Sequence, residues 1–357
     1  MSSSPDFIGV CCFGVSTCAL AYMSYENLSR RIVDVRPLSN PFRQVRETCS
    51  IVVKNSKNVQ ICESELHRVA SELCAENMSK KMTEIDWDSN GWHYSDNGVY
   101  TVQYIFVLDA LNFCFWPSQI NGKGMEYDTL AMSLKKQMEQ DKTQFHADAL
   151  VHMSAKKLQS WFPSELPQLE ERVLRLRELG EALSTNFAGF ASNMVAAANS
   201  SAAELVTLIL RYLPGFRDTV IYRGRLIHFY KRAQILVGDL WAAFGRQKYG
   251  NYFFHDIDQL TMFADYRVPQ ILREMKVLEY SKELSSIVDG LGEIPSGSEY
   301  ETEIRACTVD AVEKLHKILL LKGHNLMVLE LDWLLWQKGE AIKDEIKPHH
   351  RTRTIYY

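Results

Sequence analysis

Four aspartates stand inside apolar or aromatic runs: Asp109 in FVLDALNF, Asp239 in ILVGDLWAAF, Asp265 in TMFADYRVPQ and Asp332 in LELDWLLW. Burying a carboxylate is costly unless it is paired or hydrogen-bonded. Each therefore caps a helix, pairs with an arginine such as Arg232 or Arg267, or takes part in chemistry. Asp265 points furthest. Pro269 favours a helix starting just after it, which puts the carboxylate near a positive dipole end, lowers its pKa and keeps it anionic. An anion beside Phe263 and Tyr266 suits a transition state that gains positive charge, as in glycosidic C–N cleavage through an oxocarbenium-like sugar.

Asp332 fits a different role, because a carboxylate accepts both N–H donors of a guanine-like edge. Trp333 and Trp336 follow it at spacings that do not share one helix face, and core packing is the expectation for both. His93, between Trp92 and Tyr94, reads as a surface-loop histidine or a substrate donor. Lys231 and Arg232 in FYKRAQ join Arg223, Arg225 and Arg267 in a local basic excess around Asp265, which fits a small anion better than a long polymer.

Common nucleotide and nucleophile patterns are missing: no G-x-x-x-x-G-K-[ST], G-x-G-x-x-G after a strand, G-x-S-x-G or H-E-x-x-H occurs. Asp86, Asp88, Asn90 and Gly91 match the start of a calcium loop, but Asn97 stands where a bidentate Glu is needed, so a solvated acidic turn is expected and no metal site. The eight cysteines form no C-x-x-C pair and read as reduced thiols of an intracellular protein. With 40 Lys+Arg against 44 Asp+Glu, the formal charge of −4 offers no broad field for nucleic acid.

Several elements must position these residues. Helical spacing appears over 59–76, over the leucines from Leu169 to Leu183 with Pro167 in the first turn, and over 205–212. It returns in FYKRAQILVGDLWAAF, after a Ser298/Glu301 capping box in a helix closed by Gly323, and over about 326–340. VYTVQYIFVL (99–108) is β-branched and aromatic and predicts a strand; TVIY and RLIHF flank Arg223-Gly224 as a hairpin. The expectation is a mainly α, single helical domain over 38–357 with a small β element. Residues 1–37 form a poorly ordered extension, and the apolar run 7–23 lacks the preceding positive charge of a signal peptide, leaving a weak membrane anchor as the lesser reading.

The strings VLDALNFCFWP (107–117), FRDTVIYRGRLIHFYKRAQILVGDLW (216–241), TMFADYRVPQ (261–270), EIRAC (303–307), LDWLLW (331–336) and RTIYY (353–357) resemble the queuosine salvage protein family in the same order. The resemblance implies a mainly helical fold akin to DNA glycosylases. It also implies release of queuine from queuosine 5′-monophosphate, leaving ribose 5-phosphate, without a cofactor or metal. On it, Asp265 is the catalytic aspartate, Phe263 a base-contacting aromatic, His93 a substrate-binding histidine and Asp332 the reader of the deazaguanine. Within the local basic excess, Lys231 or Arg232 is the candidate to neutralise the phosphate.

Two positions depart from the family pattern: Trp333 replaces a common Tyr, and Gln337 replaces an Asp able to meet queuine's cationic amine. The expected protein is a cytoplasmic monomer acting on a small molecule, with no direct nucleic-acid partner and no stable membrane association. A non-catalytic nucleoside-binding protein and a nucleic-acid base glycosylase are the alternatives.

Overall fold

A computed structural model describes residues 40–76, 87–88, 90–116, 125–246 and 252–357. One compact unit, Pro37–Tyr357, contains all of them. The expected N-terminal extension, with its apolar run 7–23, lies outside the described residues. Among those described, no helix is long and apolar enough to cross a membrane.

Asn40 starts α1 (Pro41–Asn55), its Oδ1 accepting the Phe42 and Arg43 N–H groups at 2.9 and 3.3 Å. Strand β1 (Val59–Ile61) and α2 (Glu63–Ala75) divide what helical spacing reads as one helix. The next element, α3 (Val99–Leu111), corrects the strand expected at 99–108. Every residue from Thr101 to Leu111 is buried, so the segment is surrounded on all sides and carries no amphipathic period. A helix satisfies its own backbone there. The one amide inside, Gln103, donates to Phe145 O at 2.8 Å and accepts from Ala191 N–H at 3.1 Å.

Helices α4 (Tyr127–Gln140), α5 (Ala147–Val151) and α6 (Ala155–Gln159) lead to α7 (Leu169–Asn186), which starts two residues after Pro167 rather than around it. Gln168 takes a left-handed conformation at the junction, and the Pro167 carbonyl is used by Arg172 Nε at 2.8 Å. Helices α8 (Ala191–Ala197) and α9 (Ala202–Tyr212) follow, then the hairpin β2 (Thr219–Tyr222) and β3 (Arg225–His228). Arg223 and Gly224 have φ of 47° and 76°, the positive values that a two-residue hairpin turn requires.

The remaining elements are α10 (Lys231–Ala243), α11 (Arg267–Glu274), β4 (Leu278–Tyr280) paired antiparallel with β1, α12 (Lys282–Asp289), α13 (Glu299–Leu321) and α14 (Val328–Ile342). Ser298 caps α13 by accepting the Glu301 N–H, but the Glu301 carboxylate takes the Gly297 N–H instead of completing the box. Among the described residues the fold is mainly α with two small two-stranded sheets. Helices α3, α7, α10, α13 and α14 surround a common apolar core.

Candidate active site

A cavity of about 570 Å³ opens between the end of α3, one stripe of α10, the segment before α11, α14 from Asp332 to Glu340, and residues 348–351. Two buried arginines fix the α3 end. Arg172 donates to the carbonyls of Leu111, Phe113 and Cys114, and Arg232 to those of Asp109, Ala110 and Gly215. Both cap orphan carbonyls where the helix dipole is negative. This corrects the phosphate role expected of Arg232: its side chain faces these carbonyls and does not line the cavity.

Asp265 lies in the cavity wall, 7% exposed, with Oδ1 accepting the Val268 N–H at 2.9 Å in the first turn of α11. The helix-capping position is as expected; the pKa is not. Burial raises it above the usual carboxylate value, against the lowering influences of Lys231, the Val268 N–H and Arg267. Loss of water around the carboxylate outweighs the helix end.

Asp332, in the second turn of α14, accepts the Phe263 N–H on Oδ1 at 3.0 Å. Burial and then the charge of Asp265 push its pKa well above the ordinary range. The two carboxyls thus share one electrostatic neighbourhood, with the Lys231 ammonium favouring the charged form of each. The Asp265 charge thereby favours the neutral form of the Asp332 carboxyl.

Lys231 opens α10, and its backbone N–H is held by Asp218 Oδ2 at 3.1 Å. Its side chain lines the cavity, and burial lowers its pKa against the influence of Asp265, Asp109 and Asp332. Other cations on the wall are committed: Arg267 to Glu340 at 2.6 Å, Arg246 to Glu330 at 3.3 Å, Lys343 to Glu126 and Glu340. Arg351 is different. It lines the cavity half-buried, 6.0 Å from the Trp116 ring, and no carboxylate among the described residues pairs with it or with Lys231.

His93 is buried rather than on a surface loop. Its N–H binds Asp88 Oδ1 at 2.7 Å and its ring stacks on Trp87, centroids 4.1 Å apart. Burial lowers its pKa to about 4, so the imidazole is neutral. Tyr104 gives its proton to Ala131 O at 3.0 Å, and His93 Nδ1 lies 3.5 Å from the same hydroxyl. Asp88 of the half-matched calcium loop is spent on the His93 backbone, while Asp86 lies outside the described residues.

Phe263 lines the cavity beside Gly238, where an added Cβ would lie 3.3 Å from Phe263 Cζ and 3.7 Å from Trp333 Cζ2. Trp333 and Trp336, half-buried, pack against the apolar core as expected and also line the cavity. Trp333 stacks near Trp241, and Trp336 meets Tyr127 edge-on at 6.2 Å. Gln337 sits exposed at the rim. Sequence reasoning missed Arg351, Trp87, Asn112 and Tyr127 as wall residues. Asn112 lies inside the VLDALNFCFWP string and Arg351 just before RTIYY; Trp87 and Tyr127 carry no such signal.

A profile of the family described as "Queuosine salvage protein" matches residues 92–357, and the chain belongs to that family. It is 45% identical over 328 residues to a protein of Dictyostelium discoideum, covering 89% of this chain and 100% of that one. It is 40% identical to one of Sphaerobacter thermophilus, covering 88% and 97%, and 31% identical to one of Bos taurus, covering 87% and 98%. All three relatives carry the name queuosine 5′-phosphate N-glycosylase/hydrolase.

Proposed function

We propose that this protein hydrolyses the N-glycosidic bond of queuosine 5′-monophosphate, giving queuine and ribose 5-phosphate. One observation carries the reading beyond the family: Asp265 is held by the first turn of α11 in the wall of a cavity large enough for a nucleotide, with Lys231 acting on its charge and its own charge acting on Asp332.

In the reaction the C1′–N bond breaks with its electron pair going to the heterocycle. The ionised Asp265, favoured by Lys231, faces the positive charge that grows on the anomeric carbon. Water supplies the oxygen for C1′ and, in net terms, the proton taken by the departing nitrogen. A 7-deaza base has no N7 to protonate, so the sugar cation and the contacts to the base carry more of the barrier. Asp332 is the base contact, held against the Phe263 backbone, with Phe263, Trp333 and His93 around the heterocycle and Gln337 at the rim. The uncommitted cations Lys231 and Arg351 take the phosphate.

Incubating the purified protein with queuosine 5′-monophosphate and with queuosine, and detecting free queuine by mass, tests this. Release of queuine from the nucleotide is the expected result. Return of both compounds uncleaved leaves a binding protein and overturns the proposal.

A further inference from the structure

Helix α10 puts Lys231, Ile235, Asp239 and Ala242 on one stripe of the cavity wall. Asp239 lies eight residues past Lys231, about 12 Å along the helix axis. Its side chain is 7% exposed and lines the cavity, yet Oδ2 has no hydrogen-bond partner. The Trp87 indole favours its charged form, but Trp87 Nε1 is also buried without a hydrogen-bond partner. Asp109 presses on it from α3 with an unpartnered Oδ2 of its own. Burial, then the charge of Asp109, drives the Asp239 pKa well up. The chemistry proposed above gives this carboxyl nothing to do, and an unpaired buried acid is costly to keep.

Aromatic rings share the wall with it: Trp87, Tyr127, Trp333 and Trp336. A buried carboxyl oxygen without a hydrogen-bond partner, in a wall that also carries aromatic rings, is the chemistry of an ammonium site. The other wall carboxylates are committed elsewhere or lie outside. Glu126 and Glu340 pair with Lys343 and Arg267, Asp128 binds the neighbouring Thr129 N–H, and Asp344 is exposed.

We infer that Asp239 is the counter-ion for the secondary ammonium on the aminomethyl arm of the base, the charge that Gln337 cannot supply. This rests on the proposed substrate. A nucleotide held by its phosphate at Lys231 and cleaved at Asp265 directs its base, and the arm on C7, away from that end and along α10. The arriving cation pairs with Asp239 Oδ2 and draws the carboxyl into its ionised form.

The test compares queuosine 5′-monophosphate with 7-deazaguanosine 5′-monophosphate, which lacks the arm. Asp239→Asn should shrink the preference in kcat/KM for the first over the second at least tenfold; an unchanged preference, or equal losses on both, overturns the assignment. A second measurement needs no variant. On the wild-type protein, a queuine analogue with oxygen in place of the amine nitrogen should inhibit at least tenfold more weakly than queuine, and equal inhibition overturns it. If the wild type releases no queuine at all, the proposed function fails; if it does and the preference survives Asp239→Asn, only the counter-ion role fails.

Discussion

Arg305 and Asp218 face each other as a buried two-pronged ion pair, Nη1 to Oδ1 at 2.9 Å and Nη2 to Oδ2 at 2.5 Å. Arg305 Nε also holds the Ala264 carbonyl at 3.0 Å, one residue before Asp265, and Asp218 holds the Lys231 N–H. One pair therefore sets the site's anion and its cation relative to each other. Arg305→Lys keeps the charge and loses the fork, so kcat should fall about tenfold with KM little changed. Arg305→Ala leaves Asp218 buried alone and should destabilise by about 3–5 kcal/mol in denaturant titration. Equal losses in kcat and binding for the lysine variant would argue against a positioning role.

Asp265 both caps α11 and supplies the proposed charge, and Asp265→Asn separates the two. An asparagine oxygen still accepts the Val268 N–H, so the melting temperature should stay close to wild type. Queuine release should drop by about 10³-fold or more, the scale seen when a preorganised electrostatic group is removed. Mass detection of queuine under single-turnover conditions checks it, and near-normal release would end the assignment.

The Lys231 ammonium lowers the Asp265 pKa against the upward push of burial. If the carboxylate is the reactive form, kcat at saturating substrate rises as pH climbs through that pKa. Lys231→Met removes the opposing cation, so the Asp265 pKa rises further and the acid limb moves to higher pH. A limb that stays put, or moves to lower pH, contradicts the arrangement.

Arg351→Gln should erase most of the preference for nucleotide over nucleoside. The expected loss in kcat/KM on queuosine 5′-monophosphate is about 10–100-fold, in line with a charge-assisted hydrogen bond worth about 1.5–3 kcal/mol. Rates on unphosphorylated queuosine should change by less than a factor of about three. The same loss on both substrates would place Arg351 away from the phosphate.

Legibility in the sequence followed the pattern of burial. Helix α7 and the Arg223-Gly224 hairpin could be read because one face of each meets solvent and leaves a period or a turn signal. Helix α3 could not: wrapped on all sides, it shows only its β-branched and aromatic composition, which argues for a strand. The buried aspartates stood out because a charge inside an apolar run needs a reason. Direction did not. Lys231 and Arg232 are adjacent letters, yet a helix turns them about 100° apart, one to the cavity and one to the carbonyls of α3. Arg351 has no local pattern, since only the return of the C-terminal segment to the wall makes it part of the site.

The stripe on α10 has a consequence for how such a site can change. Its spacing is set by helical pitch, about 1.5 Å per residue, and the spine cannot stretch. The helix behaves as a gauge for molecules of one length. A single residue inserted between Lys231 and Asp239 would swing everything beyond it by about 100°. Novel specificities in this architecture should arise by exchanging side chains along the gauge, and hardly ever by lengthening it.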